Sequence, residues 1–397
     1  MTKRNIFRTL IFGSCVFIVV LLFVGGFCLA GEDNKDLQNK LDNTVNDQIN
    51  KIDWSDIEFF IDENCDETLL SKNSVVKMLS DVLSGEYAFN AGNFLEYLSG
   101  IFLNDLNKLI PLLGGVAIVC VLSGLVDKTK SNLMDNETGN LINFYCYAAI
   151  LLPVLSGVWQ LYLLAKKTVK TVKTLTDITM PVLLTYMTAV GAATSVKVYN
   201  PAIALLSQGV TEIISDIVLP TFVFSVVINI ISNMSNIVKL DKLSTFFKNL
   251  SKWVLGITFT VFTGFLAVQG LTAATIDGVS IRAAKFATRT YIPILGGYLA
   301  DGFDLILASC VLVKNSFGIV AMTVLVAAIL TPCITITVYN IALQLVCALV
   351  EPVADKRIVG FLGDTEKTVN ILFVSVIAVA FMLLVLIMLI IFSANVI

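Results

Sequence analysis

The chain has 397 residues, of which 56% are hydrophobic and 14% charged, with a formal net charge of −3 and no histidine. Soluble domains carry about 25% charged residues, and the mean hydropathy here is +0.85, so a soluble globular enzyme is not expected. The charge balance excludes a basic face able to track nucleic-acid phosphates. The missing histidine removes the usual general base and the commonest metal ligand.

The N-terminus reads as a secretory signal over residues 1–30. Lys3, Arg4 and Arg8 form a positive start, Ile11–Phe27 an apolar run, and Cys28 and Ala30 a small-residue cleavage site. An uncleaved anchor helix is the rival reading, because the apolar run is long. Residues 31–100 follow as an acidic, exported helical segment, in which Asp and Glu far outnumber Lys. Trp54, Ile57, Phe60 and Ile61 recur at helical spacing, as do Val75, Met78, Leu79 and Leu83. These amphipathic helices pack on each other or on the membrane surface, or else they offer a docking face. Of the eight cysteines, only Cys65 falls in the exported segment, so no disulfide framework is expected.

Residues 101–397 read as a multipass membrane domain. Apolar segments lie near 109–126, 141–165, 178–195, 203–232, 253–275, 291–313, 316–347 and 369–393. A helical span needs about 20 apolar residues, and the uninterrupted run Val369–Ile391 meets that most plainly. The fold class is therefore all-α, a polytopic helical membrane protein with six to eight spans after the signal. Lys314 separates two apolar runs and marks a boundary between them. Pro220 and Pro332 sit inside long runs, where each removes a backbone hydrogen bond and is a candidate helix kink.

One pattern recurs. Lys173, Thr176, Pro181, Leu183, Tyr186, Pro220 and Val226 reappear at a constant offset as Lys285, Thr288, Pro293, Leu295, Tyr298, Pro332 and Val338. An Asp-Lys pair precedes the last span of each copy, at Asp241 and at Asp355. The recurrence suggests an internal duplication, with repeats over 173–276 and 285–397. Three spans per copy make the copies inverted, and two or four make them parallel. Topology carries a conflict. If the acidic segment is outside, one span brings Lys128 and Lys130 inside, but the next puts Lys166, Lys167, Lys170 and Lys173 outside, against the positive-inside tendency. Either one segment does not cross or the lysine helix is an exception.

No phosphate loop, G-x-S-x-G or H-E-x-x-H motif is present. An enzyme is not expected, no cofactor or metal is implied, and any driving energy must come from a partner or a gradient. Intramembrane polar groups are the best candidates for function, because charge in lipid is costly. Gln208, Thr211, Glu212, Ser215 and Asp216 form one stripe at helical spacing, lining either a polar pathway or an interface with water. Asp301 and Asp304 pose the same choice, with a membrane-surface loop favoured.

Several stretches resemble the stage III sporulation protein AE family of endospore-forming bacteria. They are Pro293–Lys314 (PILGGYLADGFDLILASCVLVK), Gly318–Met322, Ala348–Gly363 (ALVEPVADKRIVGFLG), Asn200–Gly209 (NPAIALLSQG) and the final span. The resemblance covers nearly the whole chain after the signal and is least specific up to about residue 100. It implies a permease-like protein of the mother-cell membrane, facing the forespore, in a channel or secretion-like complex needed for spore development. It implies as partners other stage III A proteins, including an ATPase, and indirectly a forespore membrane protein. It carries no catalytic residues. A scaffold without a pore of its own, and an independent secondary transporter, stand as alternatives.

Overall fold

A computed structural model describes residues 43–66, 75–84, 91–133, 136–234, 240–291 and 296–393. The signal segment over 1–30 lies outside the described residues, as do residues 292–295, which include Pro293 and Leu295 of the recurring pattern. Among the described residues there are helices and no strands. This is the expected solution in lipid, where a helix satisfies its backbone groups within one segment. A short helical stretch over 43–49 is followed by α1 (Ser55–Asn64) and α2 (Val75–Leu83). The long helices are α3 (Ala91–Leu133), α4 (Asn136–Ala189), α5 (Ala193–Met234), α6 (Asp241–Tyr291), α7 (Gly296–Val350) and α8 (Lys356–Phe392).

Each of the six long helices contains a stretch long and apolar enough to cross a membrane. The protein is thus a polytopic α-helical membrane protein. The six helices absorb the eight apolar segments of the sequence in two ways. Segments near 141–165 and 178–195 join through the lysine-rich stretch of α4, and the runs on either side of Lys314 join in α7. Lys314 is therefore interior to one continuous helix and does not end it. Lysine is a good helix former, so a charge in an apolar run does not by itself interrupt the backbone. Pro153 and Pro181 lie inside α4 and Pro332 inside α7, and the helices continue past them.

Side-chain contacts fix the helix directions. Tyr147 on α4 donates to the Ile230 carbonyl on α5 at 3.1 Å, while Tyr162 stacks on Phe222 at 6.3 Å, so α4 and α5 are antiparallel. Thr221 meets Ser251, and Ser225 meets Ser244, so α6 runs back along α5. Gly318 abuts Ile391, and Gln344 donates to Glu366, so α7 and α8 are antiparallel. Tyr97 meets Thr331, and Asp105 accepts from Thr335, so α3 runs parallel to α7. The six helices thus alternate in direction. The α4–α5 turn, the α8 C-terminus and the start of α3 share one end of the bundle, here the first end. The α5–α6 and α7–α8 connections share the second. The hairpins α5–α6 and α7–α8 run in the same sense.

Helix α8 is the centre. It packs against α4, α5, α6 and α7, and 61% of its most apolar window is buried, against 28% for α6. Its long apolar run therefore reflects a protein core as much as lipid. Close approach makes the packing specific: a Cβ on Gly157 would sit 2.5 Å from Tyr339, and one on Gly124 would sit 1.8 Å from the Val353 carbonyl oxygen.

The acidic N-terminal helices pack on the bundle as well as on each other. Trp54 lies 5.4 Å from Phe317, Gln48 donates to Ser309 at 2.8 Å, and Thr171 on α4 donates to Asn64 at 3.2 Å. Ile57, Phe60, Val75, Met78 and Leu79 are buried, so the periodic apolar faces are consumed in this contact. Cys65 is held here too, its thiol directed at the Val324 carbonyl at 3.8 Å, and burial pushes its pKa up to about 12.

Candidate functional site

The polar stripe lies on α5 where that helix is least regular. Leu205–Val210 and Ile214–Val218 are π-helical, separated by one α-helical turn at Thr211–Ile213. A π segment widens the turn, frees backbone carbonyls and is often found at functional sites. Side-chain hydroxyls occupy those carbonyls here. Thr211 donates to the Ser207 carbonyl, and to that of Gln208 at 3.2 Å. Thr221 donates to the Ile217 carbonyl at 2.7 Å, immediately after Pro220, whose ring nitrogen has no proton to offer. The sequence contains the proline and the threonines, but nothing in their spacing announces a π-helix.

The stripe has two faces. Thr211 is buried and Ser215 half-buried, whereas Gln208, Glu212 and Asp216 are exposed on the outer surface of the chain. Asp177 of α4 accepts a hydrogen bond from Ser207 and ties the two helices together beside the stripe. Opposite lie the four lysines of α4. Lys166, Lys167, Lys170 and Lys173 line one open cleft of about 410 Å³ together with Thr211, Glu212 and Ser215. The sequence treated the lysines as a topological conflict and the stripe as a separate site. Antiparallel pairing of α4 and α5 makes them one feature.

The topological conflict becomes a matter of ends. Because α4 is continuous, the lysines fall toward the first end, where Thr171 meets Asn64 of the acidic helix α1. Asp56 and Glu58 of α1 are close in sequence to that contact. The lysine helix therefore stands at the same end as the acidic segment.

Asp304 of the second acidic pair is not among the residues lining this cleft. Asp304 is half-buried on α7, near the packing of residues 43–49 against Ser309, and the side chain of Asp301 lies outside the described residues. Lys314 of α7 sits at the end of α8. It is fully buried, and its ammonium donates to the main-chain carbonyls of Ile391, at 3.1 Å, and Ser393. These carbonyls belong to the last turn of α8 and the residue after it, where helix acceptors lack intrahelical donors. Tyr199 adds a hydroxyl to the Leu389 carbonyl at 3.4 Å. The sequence signal for this latch was one lysine inside an apolar run, which composition alone cannot assign.

The comparisons with known proteins bear on what this architecture belongs to. Residues 73–394 match the family described as Stage III sporulation protein AE. The chain belongs to the stage III sporulation protein AE family. The match takes in all six long helices in full, and so it includes the polar stripe, the lysine cleft and the Lys314 latch. A relative from Bacillus subtilis (strain 168), named Stage III sporulation protein AE, is 23% identical over 304 residues, covering 77% of this chain and 76% of the relative. No solved structure matches the chain. Membership gives this protein a role in sporulation.

Proposed function

We propose that this protein is a permease-like membrane component of the channel or secretion-like complex that joins mother cell and forespore during endospore development. The observation that carries the reading is the exposed polar stripe on an apolar six-helix body. Gln208, Glu212 and Asp216 face outward from a single chain. Carboxylates at the edge of a membrane body are costly unless water or a partner meets them. A polar path along this stripe is accordingly completed by a neighbouring subunit. In this reading the protein sits in the mother-cell membrane, with residues 31–100 outside the cytoplasm. It performs no catalysis of its own, and other stage III A proteins, including an ATPase, supply the energy and the ring.

The test has three parts. The detergent-solubilised protein is expected to co-purify with other stage III A proteins. Its loss is expected to arrest development after engulfment. Glu212→Leu with Asp216→Leu is expected to leave the protein inserted and to lower spore yield. Normal sporulation by the double variant removes the stripe from the mechanism, and solute movement by the purified protein in liposomes, with a null strain that sporulates, points to an independent transporter.

A scaffold without its own pore is the second reading. The buried α8 favours it, since the central helix is held by packing and by the Lys314 latch. The two readings part at the double variant: a scaffold keeps its partners and its activity when the stripe is made apolar.

A further inference from the structure

We propose that the lysine cleft between α4 and α5 is a binding site for a phosphate-bearing anion at the membrane boundary. Four ammonium groups, from Lys166, Lys167, Lys170 and Lys173, line one open cleft of about 410 Å³ against a single carboxylate, Glu212. Ion pairs join Lys108 to Asp105, Lys248 and Lys367 to Asp364, and Arg357 to Asp355. None of them uses a lysine of the cleft. The cleft therefore holds an excess of positive charge that the described protein does not neutralise. Ser215 supplies a hydroxyl on the opposite wall, while the Thr211 hydroxyl is already committed to backbone carbonyls.

Position in the bilayer selects the chemistry. Below the cleft, Tyr145, Leu152, Trp159 and Leu163 of α4 are exposed apolar residues. From Tyr145 to Lys166 a helix rises about 30 Å, the thickness of a hydrocarbon core. On α5 the exposed apolar face runs from Ile217 to Met234 and begins directly after Asp216. Both helices thus change from lipid-facing to charged at one level. Trp159 stacks on Tyr162 at 5.0 Å just below it, as aromatic residues do at an interface. At that level the anions within reach are lipid phosphates and dissolved phosphate. Lysine ammoniums bind either as point charges.

The experiment uses the full chain purified in a neutral detergent. Native mass spectrometry measures retention and uptake of phosphatidylglycerol and of phosphatidylcholine, and thermal unfolding is followed with inorganic phosphate or chloride. The variant replaces all four cleft lysines by glutamine, and a control replaces Lys242 and Lys356, the exposed lysines at the starts of α6 and α8 at the second end. The expected result is preferential retention of phosphatidylglycerol by the wild-type protein and the control, at least tenfold weaker in the cleft variant. Glu212→Gln is expected to tighten binding, which covers the case of a quadruple variant that does not fold. A thermal shift by phosphate over chloride that depends on the lysines, without lipid preference, assigns the site to free phosphate. Equal binding by wild-type, cleft variant and Glu212→Gln overturns the proposal and leaves the lysines as electrostatic complements of the acidic N-terminal helices.

Discussion

The hairpins α4–α5 and α7–α8 are both long, apolar and antiparallel, and they handle lysine in opposite ways. In α7–α8 a single lysine is buried and spends its donors on the end of the neighbouring helix. In α4–α5 four lysines line an open cleft with no carboxylate paired to them among the described residues. The α7–α8 hairpin is a core that holds its buried cation within the chain. The α4–α5 hairpin carries π-helical turns, exposed carboxylates and exposed cations. Burial with full hydrogen bonding gives rigidity, and exposed, unpaired charge is left for something outside the chain. On that contrast α7–α8 holds the structure together, and α4–α5 is the hairpin to which the proposed contacts with partners, lipid or solute are assigned.

The sharpest way to break the contrast is at Lys314. Lys314→Met removes a charged donor from two buried carbonyls and is expected to cost about 3 kcal/mol, since hydrogen bonds to charged groups contribute about 1.5–3 kcal/mol each. Thermal unfolding in detergent measures it, and Lys170→Met serves as the exposed comparison, expected within about 0.5 kcal/mol of wild type. An equal loss at the two sites ends the distinction between the hairpins. Next comes Gly124→Ala, where the new Cβ must displace the Val353 backbone. A cost of about 1–3 kcal/mol is expected from overpacking, against little for Gly256→Ala, where a Cβ meets nothing within 4 Å.

Smaller effects sharpen the picture. Thr211→Val leaves the Ser207 carbonyl without its hydroxyl donor and is expected to cost about 1 kcal/mol, with the change confined to α5 in hydrogen exchange. Uniform protection along α5 would show that the π-helical turns do not lean on this hydroxyl. The smallest concerns the contact between the N-terminal helices and α7. Burial raises the Cys65 pKa to about 12, so the folded state favours the neutral thiol. That contribution is complete below the ordinary thiol pKa of about 8.5 and is lost as the pH rises toward about 12. Maleimide labelling of Cys65 is expected to be far slower than that of a free thiol at pH 8. Rapid labelling would mean that α1 and α2 detach readily from the bundle.

Much of the fold was legible in the residues. The length of the apolar runs, set against the rise of a helix and the thickness of a bilayer, required a polytopic helical body. The runs in Pro293–Lys314 and Ala348–Gly363 pointed to the family. The polar stripe was visible because residues 208, 211, 212, 215 and 216 fall on one side of a helix. Other features depend on which helices become neighbours. Helical periodicity places Glu212 on a face, but only antiparallel pairing of α4 and α5 sets that face against lysines some forty positions earlier. Hydropathy cannot tell a helix buried in protein from one bathed in lipid, so the central place of α8 had no signal in its composition. Nor could the apolar run around Lys314 say that its ammonium would be held by carbonyls at the far end of the chain. Sequence determines what each segment can bury, and the packing of six helices around α8 decides which polar groups are satisfied inside and which are left facing out.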